Sequence, residues 1–329
     1  MKLKIMITGG AGFIGMHLAK HLVSEGNKVV ILDNFSRAKM DYDLMEFLKL
    51  PNVNLVSFDL MRQNLSSEVS MKDVDVIFHF AAIVGVENVV NNPHKVLTEN
   101  LEMLFNVLDF ASKQAKLERF VFASTSEVYA GTLREFGLDF PTPENTALAI
   151  PLVSEERFTY ALSKIYGEFL CKFSGIPFTI LRPHNIYGPR MGMNHLIPQQ
   201  LWNAHSIEDS STLGIYSIAH TRTFCYISDM VNMLYLIISS KNCVGKILNI
   251  GVQTPEYTVE QVVETCFRIL GKRVNLYGIG DTPGSPVRRV PDVSLLNSLI
   301  SYEPKVLLEE GIKRTSDWYT KHVFSNRRQ

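Results

Sequence analysis

The sequence predicts an α/β fold: a doubly wound parallel sheet with a smaller, mixed α/β C-terminal domain. Three observations carry this. Short apolar runs alternate with helical stretches through the first half, the pattern of parallel strands covered by helices on both faces. A glycine-rich turn separates the first run from the first helix. Beyond Leu181 the pattern changes, and prolines such as Pro183, Pro189, Pro198, Pro255 and Pro304 punctuate shorter elements.

Taken in order, residues 2–8 read as a buried strand, 13–25 as a helix stopped by Gly26, and 28–33 as a second strand. Residues 53–58, 74–80 and 119–124 read as three more strands, with a long helix over 93–116 between the last two. Right-handed crossovers wind such units into one sheet. In the second half, 230–239 and 258–270 read as helices. Residues 130–158 form a long irregular stretch, and loops of that size are usually functional or disordered. The division expected is 1–182 for the first domain, with a returning segment near 221–251, and 183–329 for the second.

Composition narrows the function. Lys plus Arg and Asp plus Glu both number 33, for a formal net charge of +0, which lacks the basic surplus of a general nucleic-acid surface. Cys171, Cys225, Cys243 and Cys266 are widely spaced with no CxxC pair. That spacing indicates free thiols rather than a disulfide framework or a metal site. Met1 leads straight into a strand-like segment, with no signal-peptide pattern, and no apolar run reaches the length of a membrane span. A cytoplasmic protein is expected, with neither nucleic acid nor membrane as partner.

The turn between the first strand and helix reads Gly9-Gly10-Ala11-Gly12-Phe13-Ile14-Gly15. Its glycines permit close backbone approach to a pyrophosphate, and the exposed amides at the helix start hold the anion. This is the phosphate-binding turn of a Rossmann-type sheet, with Phe13 and Ile14 in the first helical turn. Asp33 ends the second strand about 20 residues on, where a carboxylate accepts from the adenosine ribose. A carboxylate there repels a 2′-phosphate, so NAD is the expected cofactor, with Arg37 nearby tempering the preference. Asn34 beside it, Asp59 and Leu60 after the third strand, and the small Ala81 and Ala82 after the fourth complete the expected cofactor site.

Tyr160 and Lys164 stand four residues apart on a predicted helix and share one face. An ammonium, together with the charge of an oxidised nicotinamide, stabilises a tyrosine phenolate. That phenolate can take a hydroxyl proton while hydride leaves the carbon. Ser124-Thr125-Ser126-Glu127-Val128-Tyr129 follows the fifth strand, at the sheet edge where ligands bind.

With these segments the chain resembles the extended short-chain dehydrogenase/reductases that act on nucleotide sugars. The glycine turn, the Ser-Thr-Ser-Glu-Val-Tyr segment, Tyr160-Ala161-Leu162-Ser163-Lys164 and Arg182-Pro183-His184-Asn185-Ile186-Tyr187-Gly188-Pro189-Arg190 occur in the family's order. The likeness continues through 222–229 to Arg288-Arg289-Val290-Pro291-Asp292. It implies that Thr125 assists Tyr160 and that Lys164 also holds the nicotinamide ribose. It further implies that Asn185, Arg222 and Arg289 face a nucleotide-diphosphate sugar; Arg190 and His195 are further candidates for the same substrate site. Guanidinium forks suit phosphate oxygens. A homodimer is implied as well, because family members pair through two helices, here around 93–116 and 160–173.

The reaction turns on Ser126 and Glu127. By resemblance, 4,6-dehydratases carry Thr-Asp-Glu, whose Asp protonates the departing hydroxyl and whose Glu removes the C5 proton. UDP-glucuronate decarboxylases, and a dehydratase branch acting on N-acetylated sugars, resemble the Thr-Ser-Glu found here. The Arg288-Arg289-x-Pro-Asp292 segment also resembles the decarboxylases. Each of these reactions passes through a 4-keto sugar. A 4-epimerase, a net oxidoreductase that releases NADH, and a non-enzymatic NAD sensor are the alternatives. The stretch before Tyr160 is longer than in typical members, and 191–198 differs from the decarboxylase pattern.

Overall fold

A computed structural model describes residues 2–62, 65, 73–282 and 284–325. Six strands follow the chain: β1 (Lys4–Thr8), β2 (Lys28–Asp33), β3 (Val53–Ser57), β4 (Val76–His79), β5 (Arg119–Ala123) and β6 (Phe178–Pro183). A seventh, Lys246–Ile250, returns from the second half and pairs with β6. The sheet order is Lys246–Ile250, β6, β5, β4, β1, β2, β3, and every pair is parallel. Phe178–Pro183 and Lys246–Ile250 were not among the five strands expected. Both are short runs beside prolines or polar loops, and the sheet edge supplies their pairing.

Alternate residues on each strand enter different cores, which is why the strands read as continuous apolar runs. Ile5, Ile7, Val29, Ile31, Phe78 and Val121 pack under helix α1 (Phe13–Ser24) and the helix Ile227–Ser239. Met6, Leu32, Ile77, Phe120, Phe122 and Ile180 pack under the helix Pro93–Ser112, and Cys171 of the helix Phe158–Phe173 joins them. The four cysteines are buried free thiols.

The remaining elements stand over the sheet's carboxyl edge. The helix Val259–Ile269 carries a capping box at Thr258, and its Val263 and Phe267 form a small separate core with Ala204 and Ile215. Three two-residue strands, Thr221–Arg222, Tyr257–Thr258 and Arg288–Arg289, form a little sheet in which Arg289 lies opposite Arg222. The irregular stretch after β5 contains a short helix, Ala130–Phe136. Its Thr132 straps the chain back at Ala147 and Ala149. Among the described residues, no helix is long and apolar enough to cross a membrane, and no His/Cys/Asp/Glu group is placed to hold a metal.

Candidate active site

A cleft of about 1430 Å³ runs along the carboxyl ends of the central strands. At one end lies the glycine turn. Gly9 has φ +66°, and a Cβ there would lie 2.8 Å from the Ala81 nitrogen. A Cβ on Gly15 would come within 2.5 Å of the Gly9 carbonyl oxygen. The turn is therefore closed tightly against the segment that follows β4. The first intrahelical bond runs from Met16 N to Gly12 O, so the amides of Phe13, Ile14 and Gly15 precede it and have no partner within the helix.

Asp33 Oδ2 accepts from Ala11 N at 3.1 Å, and Oδ1 accepts from Phe35 N at 2.9 Å. The carboxylate is thus fixed at the end of β2 with oxygen lone pairs to spare. Asn34, Asp59, Leu60, Ala81 and Ala82 line the same end. This donor set fits a dinucleotide: amides for the pyrophosphate and a fixed carboxylate for a ribose.

At the other end the cleft is lined by Thr125, Tyr160 and Lys164. Lys164 is 4% exposed. Its Nζ donates to Ala123 O at 2.8 Å and sits 4.9 Å from the Phe122 ring centroid and 5.8 Å from that of Tyr160. Burial pulls its pKa down to about 8, against the pull of Cys171 and Glu168. Tyr160 shares a hydrogen bond with Thr125, but burial first and the Glu127 charge second push its phenol above the usual range. Within the protein, the hydrogen bond from Thr125 and the charge of Arg37 act in the opposite direction, toward the phenolate.

Beyond the cleft lining, Glu127 meets Arg289 at 2.6 Å, Oε1 to Nη2. The Arg289 charge holds the Glu127 carboxyl below the ordinary carboxylate range against its burial, with Arg157 and Arg222 adding to the effect. Arg222 donates to neutral oxygens, Thr221 O, Val287 O and Ser285 Oγ. Burial and the neighbouring Arg289 bring its pKa down to about 10. Cations forced together around one carboxylate make an anion-accepting corner. Ser126 is buried beside it.

Other expected substrate residues are placed differently. Asn185 Nδ2 donates to Thr223 O at 2.9 Å, which ties the end of β6 to the 223–226 segment. Arg190 turns toward the cofactor lobe, pairing with Asp41 at 2.6 Å and Asp43 at 3.5 Å. His195 lines the cleft at the start of the helix Leu196–Ser206.

Sequence reasoning missed Arg157, although it precedes Tyr160 by three residues, a spacing that favours one helical face. It also missed a buried support. Glu168 accepts from Ser124 Oγ at 2.5 Å and from Arg182 Nε and Nη2 at 2.9 and 2.6 Å. Arg182 Nη1 reaches Tyr129 Oη, which donates to Asn249 Oδ1. The signal was Glu168 at four residues from Lys164. This network fixes the turn carrying Ala123, whose carbonyl holds the lysine.

Fold and site together define a dinucleotide-dependent enzyme of the short-chain dehydrogenase/reductase type. The profile of the NAD dependent epimerase/dehydratase family matches residues 5–251, and the chain belongs to that family; its cofactor is NAD. The chain is 33% identical to a UDP-N-acetyl-alpha-D-glucosaminuronate decarboxylase of Bacillus cytotoxicus, over 97% of this chain and 98% of the relative. A solved UDP-glucuronic acid 4-epimerase from Bacillus cereus, in complex with UDP-glucuronic acid and NAD, superposes with a TM-score of 0.81 at 26% identity, covering 97% of this chain and 99% of that one. A dTDP-glucose 4,6-dehydratase from Streptomyces venezuelae superposes with a TM-score of 0.82 at 25% identity, covering 97% and 98%.

Proposed function

We propose that this enzyme decarboxylates a nucleotide-diphosphate uronic acid at C5, through a 4-keto intermediate. The observation that carries the reading is the Glu127–Arg289 pair next to Thr125 and Tyr160, with Ser126 in the position between them. Elimination in the Thr-Asp-Glu pattern draws its acid from the residue at that position, and Ser126 supplies no such acid, which favours decarboxylation over that form of elimination. Decarboxylation needs no such proton. With a ketone at C4, the C5–carboxylate bond can break and leave its electron pair on the C4 oxygen; a solvent-derived proton then adds at C5 and restores the ketone before C4 is reduced. The cations around Glu127 suit an anionic sugar, and Glu127, held ionised, presses against the departing carboxylate.

Bound NAD would supply reversible hydride acceptance from C4 and a positive charge that favours the phenolate. Phe13, Ile14 and Gly15 would hold its pyrophosphate, Asp33 the adenosine ribose and Lys164 the nicotinamide ribose. Asn34, Asp59, Leu60, Ala81 and Ala82 would line the adenosine half. Tyr160 Oη takes the proton of the C4 hydroxyl, with Thr125 Oγ1 sharing it. Arg222 and Arg289 meet the diphosphate and the sugar carboxylate. In this reading residues 1–182, with the returning strand, carry the cofactor, and residues 183–329 carry most of the sugar-nucleotide contacts.

The test is mass spectrometry of UDP-glucuronate and UDP-N-acetylglucosaminuronate incubated with the enzyme in deuterated water. Loss of carbon dioxide with one deuterium gained at C5 is expected. An unchanged mass with altered chromatographic mobility would replace the reading by 4-epimerisation.

The working unit we propose is a homodimer. The helices Pro93–Ser112 and Phe158–Phe173 pack side by side and leave Phe105, Tyr166, Phe169 and Phe173 more than half exposed. An apolar patch of this kind is covered by a second copy. Sedimentation should show a dimer that Phe169→Glu dissociates.

A further inference from the structure

The adenosine end of the cleft is closed by a contact between distant parts of the chain. The segment 34–41 leaves β2 at Asp33 and lines the cleft through Asn34, Ser36, Arg37 and Lys39. It ends at Asp41, whose Oδ1 caps the short helix Tyr42–Phe47 by accepting from Leu44 N at 2.9 Å. Its other oxygen, Oδ2, faces the opposite wall and accepts from Arg190 Nη1 at 2.6 Å. Asp43 stands 3.5 Å from the same nitrogen, while its Oδ1 takes Lys20 of α1 at 2.5 Å.

Arg190 itself is held in place from several sides. Its φ is +72°, its side chain is 8% exposed, and Nη2 lies 3.5 Å from the Ala11 carbonyl within the phosphate-binding turn. Its Nε is buried with no partner among the described residues, although the residue lines the cleft. The preceding carbonyl, Pro189 O, lies 3.0 Å from His17 Nε2 on α1. A carbonyl can only accept, so the imidazole donates. Burial draws the His17 pKa down to about 4, which keeps it neutral. Behind the turn, Tyr319 Oη donates to Met191 O. A strained, buried arginine braced this way is a fixed post, and it faces a segment in which Asn34, Ser36, Arg37, Lys39 and Met40 are exposed.

We infer that Arg190 is a positioning residue that latches the 34–43 segment over bound NAD and slows cofactor release between turnovers. The inference rests on the reading of an enzyme that resets its own NAD, since such an enzyme gains from retaining it. A catalyst that exchanged NADH for NAD each cycle would be slowed by the same latch. The assignment moves Arg190 from the sugar-nucleotide contacts to the cofactor's enclosure.

The experiment measures release directly. Full-length enzyme is loaded with isotopically labelled NAD, freed of excess and chased with unlabelled NAD in the absence of any nucleotide sugar. Arg190→Gln should release label on the order of tenfold faster, the share of a charge-assisted hydrogen bond. Asp41→Asn keeps an oxygen for the helix cap and should also speed release, by less, because Asp43 remains. The double variant should be no faster than Arg190→Gln alone, since both remove one interaction. Release rates within about twofold of the parent, or single effects that multiply in the double variant, would overturn the latch. So would unchanged release together with roughly tenfold weaker sugar-nucleotide binding, which returns Arg190 to the substrate. If Arg190→Gln does not fold, the partly exposed Asp41 variant carries the test. No sugar is present, so failure of the decarboxylase reading leaves this outcome intact.

Discussion

The two ends of the cleft are built by different means. At the cofactor end, the partners that hold Asp33 and pack the start of α1 fall between Gly9 and Phe35: the amides of Ala11 and Phe35 fix the carboxylate, and Gly15 lies against the Gly9 carbonyl. At the reacting end they lie far apart. Glu127 pairs with Arg289 across 162 residues, and Tyr129 bonds to Asn249 across 120. Backbone chemistry at a turn is written locally, and side-chain electrostatics is written by the topology. The contrast implies that substitutions at the reacting end alter chemistry while leaving NAD in place.

Tyr160→Phe is the sharpest test of that separation. Removing the hydroxyl that carries the proton should lower turnover by about 10³-fold or more. NAD content after gel filtration should match the parent. Normal turnover would remove Tyr160 as the proton carrier, and loss of NAD would show that the two ends are not independent. Glu127→Gln comes next, at about 10²-fold in product formation. The amide can still meet Arg289, but it no longer presents a charge. C4 oxidation should continue, so NADH absorbance should build up during turnover. A variant that neither slows nor accumulates NADH would make the Glu127–Arg289 pair a structural tie.

The same contrast explains what was legible in the sequence. The strand–glycine turn–helix order and the Asp at the end of the second strand located the cofactor end, because each signal is local. Tyr160 and Lys164 were legible through helical spacing. Their electrostatics was not: Lys164 is held by Ala123 O, and the Tyr160 phenol is raised by burial. The pairing of Arg190 could not be read from its motif, because its partners Asp41 and Asp43 precede it by 149 and 147 residues. Of the Glu168–Arg182–Tyr129–Asn249 support only Glu168, four residues from Lys164, left a local signal, since its members sit on four separate elements.

A smaller effect follows from the pKa of Lys164, drawn down by burial to about 8. The lysine carries its ammonium charge below that value and loses it as pH rises through it. If the charge supports proton transfer by Tyr160, kcat should be level below about pH 8 and fall roughly tenfold per unit above it. Lys164→Arg keeps a charge at every accessible pH, so its residual activity should lack this basic limb. A limb that persists in Lys164→Arg would assign the titration to another group.

The smallest expected effect separates two uses of Asn185. Resemblance places it against the sugar nucleotide, while its side-chain nitrogen holds Thr223 O at 2.9 Å. Asn185→Asp keeps an oxygen and removes that donor, setting a carboxylate against a carbonyl. If the bond to Thr223 is its main work, stability should fall by about 1 kcal/mol, read as a lower melting temperature. KM for the sugar nucleotide should then stay within about threefold. If KM instead rises by roughly tenfold with an unchanged melting temperature, Asn185 belongs to the substrate. In that case the reacting end extends past Arg289 to the end of β6, and its residues answer to the ligand more than to the fold.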